Sequence, residues 1–497
     1  MSSIKKSIGT GIFYTALAKY SNIVISIIVT AVLARLLTPP EYGIVAIVMV
    51  FITFFTYLAD FGIGPALIQN KDLEKEDIES IFSVSIMIAL TLSLLFYLSA
   101  GLISRFYSNP ELLNIARWLS LSVLIFTINV VPSALNKKEL KFKQLGIISV
   151  VVQVVSGIIA IVLALFGFSY YALIFRAIIS GLFLFFGSYY LNPVKLAFHI
   201  RWQSILKIWR FSTYQFLFNF INYFARNTDN LLIGKFFGSA MLGYYDKAFS
   251  LMLMPVQNLT HVITPVLHPV LSDYQDRKDK IYNSFITLTR ILTTIGFPLS
   301  VLLYFTGEEV IYLFYGSQWT QSVPVFQVLA IIIGLEILLS STGSFFQSAN
   351  RADLLFLSGV ITSTLIVLGV IYGIFIAKSL LGVAVGIVVA RVLNFFVSIY
   401  LLIRKTLDSP VSKFFMELGS PFFISLVVLL ANLMFRQVTI ENIYISLILK
   451  LAVSFAAFMA AFICSKKNRT LISNLINGVM ARIRSTSKFA THYSKFL

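Results

Sequence analysis

Long apolar runs separated by short polar segments fill almost the whole of this 497-residue chain. A membrane-spanning helix needs about 20 consecutive apolar residues, because the hydrocarbon core is about 30 Å thick and a helix rises about 1.5 Å per residue. Fourteen runs reach that length, at residues 10–36, 42–69, 79–104, 112–134, 145–167, 169–191, 208–236, 241–267, 282–305, 323–347, 353–376, 380–403, 415–435 and 442–464. The pattern therefore predicts an all-α polytopic membrane protein with about 14 transmembrane helices.

Two polar gaps divide these runs into groups of six, six and two. The longer gap contains alternating apolar and basic residues, which favour a linker that lies on the cytoplasmic membrane surface. The predicted parts are an N-terminal six-helix lobe at 1–191, the amphipathic linker at 192–207, a C-terminal six-helix lobe at 208–404, two additional helices at 405–464 and a basic amphipathic cytoplasmic tail at 465–497.

The basic residues indicate the orientation of the chain. If the N-terminus is cytoplasmic, the inner segments hold 26 Lys and Arg residues and the outer loops hold 5. Cytoplasmic loops of membrane proteins carry such an excess. We therefore expect both termini to be cytoplasmic. The net charge of +18 is spread over short loops and the tail, so no basic domain exists that would bind nucleic acid.

Composition excludes several other classes of protein. The mean hydropathy is +0.88 and 12% of the residues are charged, against roughly 25% in soluble domains. The single cysteine, Cys464, excludes an internal disulfide, and the four histidines lack metal-ligand spacing. The tripeptide Asp60–Gly62 matches a kinase motif, but neither its companion motifs nor a Walker A sequence is present. We expect no enzymatic activity and no bound cofactor or metal.

A weak internal repeat relates the two predicted lobes. An offset of 200 residues aligns Arg35 with Lys235, Gly43 with Gly243 and Pro65 with Pro265 without gaps. Identities over the wider window are close to chance. The repeat is therefore confined to the turn between the first two helices of each lobe.

Five segments carry a resemblance to a known family: ARLLTPPEYG at Ala34–Gly43, DFGIGPALIQ at Asp60–Gln69, DNLLIGKFFG at Asp229–Gly238, LGYYDKAFSLMLMP at Leu242–Pro255 and YGSQW at Tyr315–Trp319. On these segments the chain resembles the Wzx-type polysaccharide flippases of bacteria, members of the MOP superfamily together with the lipid II flippase and the MATE exporters. The resemblance runs from about residue 5 to residue 405.

The resemblance implies a fold and a function. The fold would be two six-helix lobes around a central cavity, with two C-terminal helices added. The function would be to move undecaprenyl-pyrophosphate-linked oligosaccharide repeat units from the cytoplasmic to the periplasmic leaflet of the bacterial inner membrane, by alternating access. The product would serve O-antigen, capsule or exopolysaccharide synthesis. The lipid bilayer and the polysaccharide polymerase machinery are the other expected partners, and a monomer would suffice because one chain contains both lobes.

The charges placed at membrane depth fit such a substrate. Eight are basic and four, namely Asp60, Asp229, Asp246 and Glu336, are acidic. Five basic residues are predicted to contact the pyrophosphate: Lys19, Arg176, Arg226, Arg290 and Arg391. Pairing between helices is the alternative for each of them. Arg117, Lys247 and Lys450 are instead predicted to pair locally or to extend toward the membrane surface.

Three of the acidic residues are candidates for pairing or coupling. Asp229 lies three residues after Arg226, so the two share one helical face and are predicted to pair. Intramembrane carboxyl groups such as Asp60 and Glu336 often mark ion pathways, and we expect coupling to H⁺ or Na⁺. Helix capping is the alternative role for Asp60, because the sequence FGIGP follows it.

Two other functions compete with flipping. A small-molecule exporter of the MATE kind would share the fold, but a cation site should be acidic and this interior is net basic. A membrane-embedded polymerase or transferase would need a large loop with catalytic residues, and no such loop is present in the sequence.

Overall fold

The computed structural model describes residues 2–60, 63–70, 72–197, 201–260, 271, 274–275, 277–438 and 440–464, with the backbone alone at 2–13, 59–60, 202–222 and 224–226. Helices account for nearly all of this part, and no strand occurs within it. The predicted all-α class is confirmed.

One compact unit consists of Met1–Ala248, Ile311–Ser322 and Ile366–Gly386. Its helices begin with α1 (Ser2–Leu36), α2 (Pro39–Asp60), α3 (Ile63–Gln69), α4 (Lys75–Tyr107), α5 (Glu111–Ile128), α6 (Val130–Lys138), α7 (Phe142–Leu165) and α8 (Tyr171–Leu191), and α9 (Trp202–Thr260) starts in it. The pairs α4/α5, α1/α7 and α7/α8 pack extensively. The helices of each pair therefore bury apolar faces against each other, whether or not they are consecutive in the sequence.

A small core holds the two short helices of this unit. Ile63 and Leu67 of α3 pack with Phe82 of α4 and with Val131 and Leu135 of α6. These side chains are at most 6% exposed. The short helices thus gain their stability from tertiary burial, since helices of one or two turns are marginal alone.

A second unit consists of Phe249–Val310, Val323–Leu365 and Ile387–Leu497. The remaining helices of the described part are α10 (Lys278–Phe305), α11 (Gly307–Phe314), α12 (Ser322–Ala330), α13 (Ile333–Ser348), α14 (Ala352–Ile371), α15 (Leu380–Tyr400), α16 (Val411–Phe435) and α17 (Ile443–Cys464). A 3₁₀ turn covers Ser317–Trp319, and π-helical turns cover Tyr372–Ile376 and Leu401–Thr406. Five helices, α9, α11, α12, α14 and α15, cross a boundary between the units.

Helices α10 and α13 of the second unit run antiparallel. A Cβ built on Gly296 would lie 3.1 Å from the Cα of Gly334, and the rings of Phe285 and Phe345 meet at 5.0 Å between centroids. These two contacts fix the register of the pair. In that register Arg290 of α10 lies about one turn from the level of Glu336.

Eleven helices of the described part are long and apolar enough to cross a membrane. Ser322–Ala330 and Ile333–Ser348 form a twelfth if this pair, bent by 56°, is one span. The predicted spans 208–236 and 241–267 both fall on α9, and the second continues beyond the described residues. The number fourteen therefore stays a prediction.

Helix α9 is interrupted at Gly238, where φ is 82°. Glycine adopts this left-handed conformation without the steric penalty of a side chain. The interruption lies between the predicted seventh and eighth spans, where the sequence pattern placed a loop. The division into lobes, linker and additional helices stays a prediction, and the tail 465–497 lies outside the described residues.

Candidate cationic substrate site

Lys19 on α1 lines a cavity of about 700 Å³ in the first unit. Its walls come from α1, α6, α7 and α8, and Lys137 of α6 supplies a second positive charge. The uncharged polar lining residues are Thr15, Asn22, Ser26, Ser149, Gln153 and Ser180. None of the described residues that line the cavity is acidic. The volume lies within the range of about 300–1,000 Å³ typical of small-molecule sites.

The local fold explains why Lys137 faces this cavity. It stands in the last turn of α6, which is held on α3 by the core described above. The next residue, Lys138, turns to α3 and donates to the carbonyl oxygen of Asn70 at 2.7 Å. Asn22 of α1 donates to Ser149 of α7 at 3.0 Å, while its own amide oxygen is buried without a hydrogen-bond partner among the described residues. The described lining of the cavity therefore combines two cations with neutral hydrogen-bonding groups.

Arg176 on α8 is partly buried in the same unit. It lies near Tyr42 and Lys247. Among the described residues no carboxylate forms an ion pair with it within 4.0 Å. Its charge is therefore left for water or a ligand.

Arg290 on α10 is the clearest unpaired cation of the second unit. Its Nε and Nη2 atoms are buried and have no hydrogen-bond partner in the part of the chain that the structure describes. The hydroxyl groups of the nearby Thr289 and Thr294 are also buried and have no hydrogen-bond partner among the described residues. A guanidinium group stays protonated in proteins, and leaving it buried without a partner is unfavourable. An anion would satisfy it.

Arg391 and Glu336 contact each other. The Arg391 Nε atom lies 3.3 Å from the Glu336 Oε1 atom, and the side chains are 24% and 11% exposed. The distance defines an ion pair, although the geometry does not satisfy the criteria for a hydrogen bond. Each residue was predicted in a different role, as a substrate contact and as a coupling acid. In this structure the two residues form an ion pair between helices, which was the alternative given for Arg391 in the sequence analysis.

Asp229 on α9 has partners other than the predicted one. It accepts a hydrogen bond from the hydroxyl group of Tyr245 at 2.6 Å and from the backbone of Asn230 at 2.9 Å. The side chains of Arg226 and Asp60 lie outside the described residues, so the predicted pairing of Arg226 and the role of Asp60 stay predictions.

The three cations predicted to pair locally or to extend toward the membrane surface have partners among the described residues. Lys247 lies 3.4 Å from Asp246, and Arg117 lies over the ring of Tyr97 at 5.2 Å. Lys450 of α17 forms an ion pair with Glu309 of α11 and donates to the carbonyl oxygen of Phe305 at 3.0 Å. These contacts neutralise or shield the three charges, which leaves Lys19, Arg176 and Arg290 as the available cations among the described candidates.

Sequence reasoning missed two members of these arrangements. Lys137 lies between the predicted spans 112–134 and 145–167 and so belongs to the 26 inner Lys and Arg residues, yet it lines the cavity with Lys19. Glu309 lies between the predicted spans 282–305 and 323–347, yet it is 5% exposed and binds Lys450. The position of Lys137 in the last turn of an amphipathic segment was an available signal. The partner of Lys450, 141 residues away, was not visible in any local pattern.

The long apolar helices define a polytopic α-helical membrane protein. The structure resembles that of the lipid II flippase MurJ in an inward closed conformation, with a TM-score of 0.72, 14% sequence identity and coverage of 92% of this chain and 99% of that one. It also resembles an inward-facing MATE-family transporter of the MOP superfamily, with a TM-score of 0.59, 17% identity and coverage of 76% and 92%. At these identities the likeness shows the fold.

Sequence comparisons show the family. The model of the family described as "Polysaccharide biosynthesis protein" matches residues 32–324, more than half of the chain, so the chain belongs to this family. It is 25% identical over 440 residues to the lipopolysaccharide biosynthesis protein WzxC of Escherichia coli K12, covering 86% of this chain and 88% of that one. It is 27% identical over 434 residues to the teichuronic acid biosynthesis protein TuaB of Bacillus subtilis 168, with the same coverage. The resemblance to Wzx-type flippases is confirmed.

Proposed function

We propose that the protein moves undecaprenyl-pyrophosphate-linked oligosaccharide repeat units from the cytoplasmic to the periplasmic leaflet by alternating access. A pyrophosphate with attached sugars does not cross hydrocarbon unaided, because buried unpaired charges and polar groups are strongly unfavourable. A transporter must therefore offer it a polar path with positive charges. The repeat unit would serve the synthesis of O-antigen, capsule or exopolysaccharide.

The cavity lined by Lys19 and Lys137 carries this proposal. It combines two ammonium groups with hydroxyl and amide donors, and its described lining contains no carboxylate. The cations match a pyrophosphate, and the neutral donors match sugar hydroxyl groups. The unpaired guanidinium of Arg290 supplies a further positive group in the second unit.

A reconstituted transport assay tests the proposal. Purified protein in proteoliposomes should move a fluorescent undecaprenyl-pyrophosphate-linked oligosaccharide between leaflets. Lys19→Ala and Arg290→Ala should each lower the initial rate roughly 10- to 100-fold, since a hydrogen bond to a charged group contributes about 1.5–3 kcal/mol. The exposed Lys75→Ala and Arg277→Ala variants are the matched controls and should keep the wild-type rate.

Normal rates in Lys19→Ala and Arg290→Ala would contradict the assignment of these cations. In cells, the double variant Arg226→Ala/Arg290→Ala should insert into the membrane while lipid-linked repeats accumulate in the inner leaflet. Normal surface polysaccharide from that variant would equally contradict it.

Transport is also proposed to be coupled to an ion gradient. Flipping in proteoliposomes should respond to an imposed pH or sodium gradient. Because Glu336 is paired with Arg391, Glu336→Gln should reduce that response only if the pair opens during the cycle. Indifference of the wild-type protein to both gradients would remove Asp60 and Glu336 from the mechanism.

The charge of the cavity separates this proposal from the export of small organic cations. Two lysines without an acidic partner in the described lining would repel a cationic drug. An exporter of cations should transport ethidium in the same liposomes, and we expect no ethidium transport.

A further inference from the structure

Two glycines related by the weak sequence repeat meet in the first unit. A Cβ on Gly43 would overlap the carbonyl oxygen of Ser239 and lie 3.0 Å from the backbone nitrogen of Gly243. A Cβ on Gly243 would overlap the carbonyl oxygen of Pro39 and lie 3.3 Å from the backbone nitrogen of Gly43. The two backbones are thus in direct contact, without room for one methyl group on either side.

The contact is reciprocal, with an offset of 200 residues. Gly43 faces the oxygen of residue 239, and Gly243 faces the oxygen of residue 39, so each partner is the repeat-equivalent of the other. The helical context is equivalent as well, because α2 begins at Pro39 and the second part of α9 follows the interruption at Gly238. We call the contact of 39–43 with 239–243 the glycine seam. It is a local two-fold arrangement of the repeated turns.

Aromatic and cationic side chains close the space beside the glycine seam. The Nζ atom of Lys247 lies 3.9 Å from the centre of the Tyr42 ring. The ring of Trp319 packs edge-on against Tyr42 at 5.5 Å, and its Nε1 atom donates to the carbonyl oxygen of Ala34 at 2.8 Å. Gln318 donates to the carbonyl oxygen of Leu37 at 3.0 Å. Three of the segments that carry the family resemblance therefore converge at this point.

The chemistry of the glycine seam suits a contact that forms and separates. Flat glycine surfaces part without withdrawing interlocked side chains. Lys247 is 8% exposed, and burying an ammonium group is unfavourable even beside Asp246, so hydration of Lys247 would offset part of the lost contact. The close glycine contact therefore favours the closed arrangement, and the burial of Lys247 opposes it.

We propose that the glycine seam is a gate of the transport cycle, closed in this structure and open in the state that admits or releases substrate on that side. The proposal rests on the alternating access of the proposed function. Gly43 and Gly243 are then required for closure, and Lys247 weakens it. Leu37, 2% exposed, should become accessible when the gate opens.

Thiol accessibility in lipid nanodiscs tests the gate without any substrate. The probe is a polar maleimide, added to Leu37→Cys in a Cys464→Ser background. Adding Gly43→Ala should raise the labelling rate about fivefold or more. One extra methyl group overpacks the tight contact and so increases the population of open molecules. Lys247→Met removes the buried charge and should lower the rate at least twofold. Gly101→Ala is the matched control, because nothing lies within 4 Å of its added Cβ, and should leave the rate unchanged.

Equal labelling of the Gly43→Ala and Gly101→Ala proteins, both monodisperse, would overturn the gate. A second experiment keeps the native glycines, so it does not depend on the folding of Gly43→Ala. Leu37→Cys and Gln318→Cys are joined by a short bifunctional methanethiosulfonate reagent, which should stop flipping until a reductant cleaves the bridge. Flipping that continues across the bridge would also overturn the gate. Absence of flipping in the unbridged protein, with the labelling differences preserved, would instead contradict the proposed function and leave the gate intact.

Discussion

The buried ion pair between Lys450 and Glu309 gives a quantitative test of the packing of α17. The side chains are 23% and 7% exposed, and Ser446 of α17 donates to the same Glu309 oxygen at 2.7 Å. The other oxygen, Oε2, is buried without a hydrogen-bond partner among the described residues. Lys450→Met would leave a buried carboxylate with a neutral hydroxyl donor alone.

Removal of one partner of a buried pair typically costs about 3–5 kcal/mol. We expect Lys450→Met to lose that amount, which corresponds to roughly 5–10 °C in apparent Tm at about 2 °C per kcal/mol. The double variant Lys450→Met/Glu309→Gln removes both charges and should recover most of the loss. Fluorescence-detected size-exclusion chromatography after heating measures each value.

The exposed pair of Lys278 and Asp408 is the matched control. Its atoms approach to 2.8 Å, but the side chains are 46% and 68% exposed. Exposed pairs contribute about 0–1 kcal/mol, so Lys278→Met should change the apparent Tm by at most about 2 °C. A Lys450→Met variant no less stable than Lys278→Met, or a double variant as unstable as the single one, would refute the reasoning.

Two further predictions concern packing and pH. Gly369 of α14 and Gly386 of α15 lie so close that a Cβ on either would overlap the carbonyl oxygen of the other. Gly369→Ala should therefore lower thermal stability, whereas the control Gly359→Ala, whose added Cβ has nothing within 4 Å, should not. Equal stability of the two variants would contradict this close contact of the two helices. Lys141 and Asn192 donate hydrogen bonds to the carboxyl group of Glu139. These bonds, of which that of Lys141 has the larger effect, hold the pKa of this carboxyl group below its usual value. A lowered folded-state pKa contributes stability above the unfolded pKa of about 4.3, and this is lost as the pH falls through the folded value. The difference in Tm between wild type and Glu139→Gln should therefore be present at pH 7 and shrink below about pH 4; a difference that grows on acidification would contradict this sign.

Much of the site could be anticipated from local features. Lys247 and Asp246 are adjacent in sequence, so their pairing required no tertiary information. Lys19 and Arg290 stand alone within apolar helices, which marked them as functional candidates. The offset of 200 residues indicated that Gly43 and Gly243 are equivalent, but it did not indicate that they touch.

The partners of the other charges could not be anticipated. Glu336 and Arg391 stand on different helices, and each sequence window suggested an independent role. Their 3.3 Å contact depends on how α13 and α15 are brought together. Lys137 is similar, because its place beside Lys19 depends on the packing of α6 against α3.

By itself, the sequence determined the class of protein, the helical elements and the positions of charge along them. A long apolar run in lipid satisfies its backbone hydrogen bonds within its own helix, so these features depend on local composition. Only the tertiary structure decided which cations are neutralised, which line a cavity, and that two repeat-related glycines touch. These features depend on distances between helices that are far apart in the sequence. Such a distance decides whether a buried charge has an oppositely charged partner or is available to a ligand.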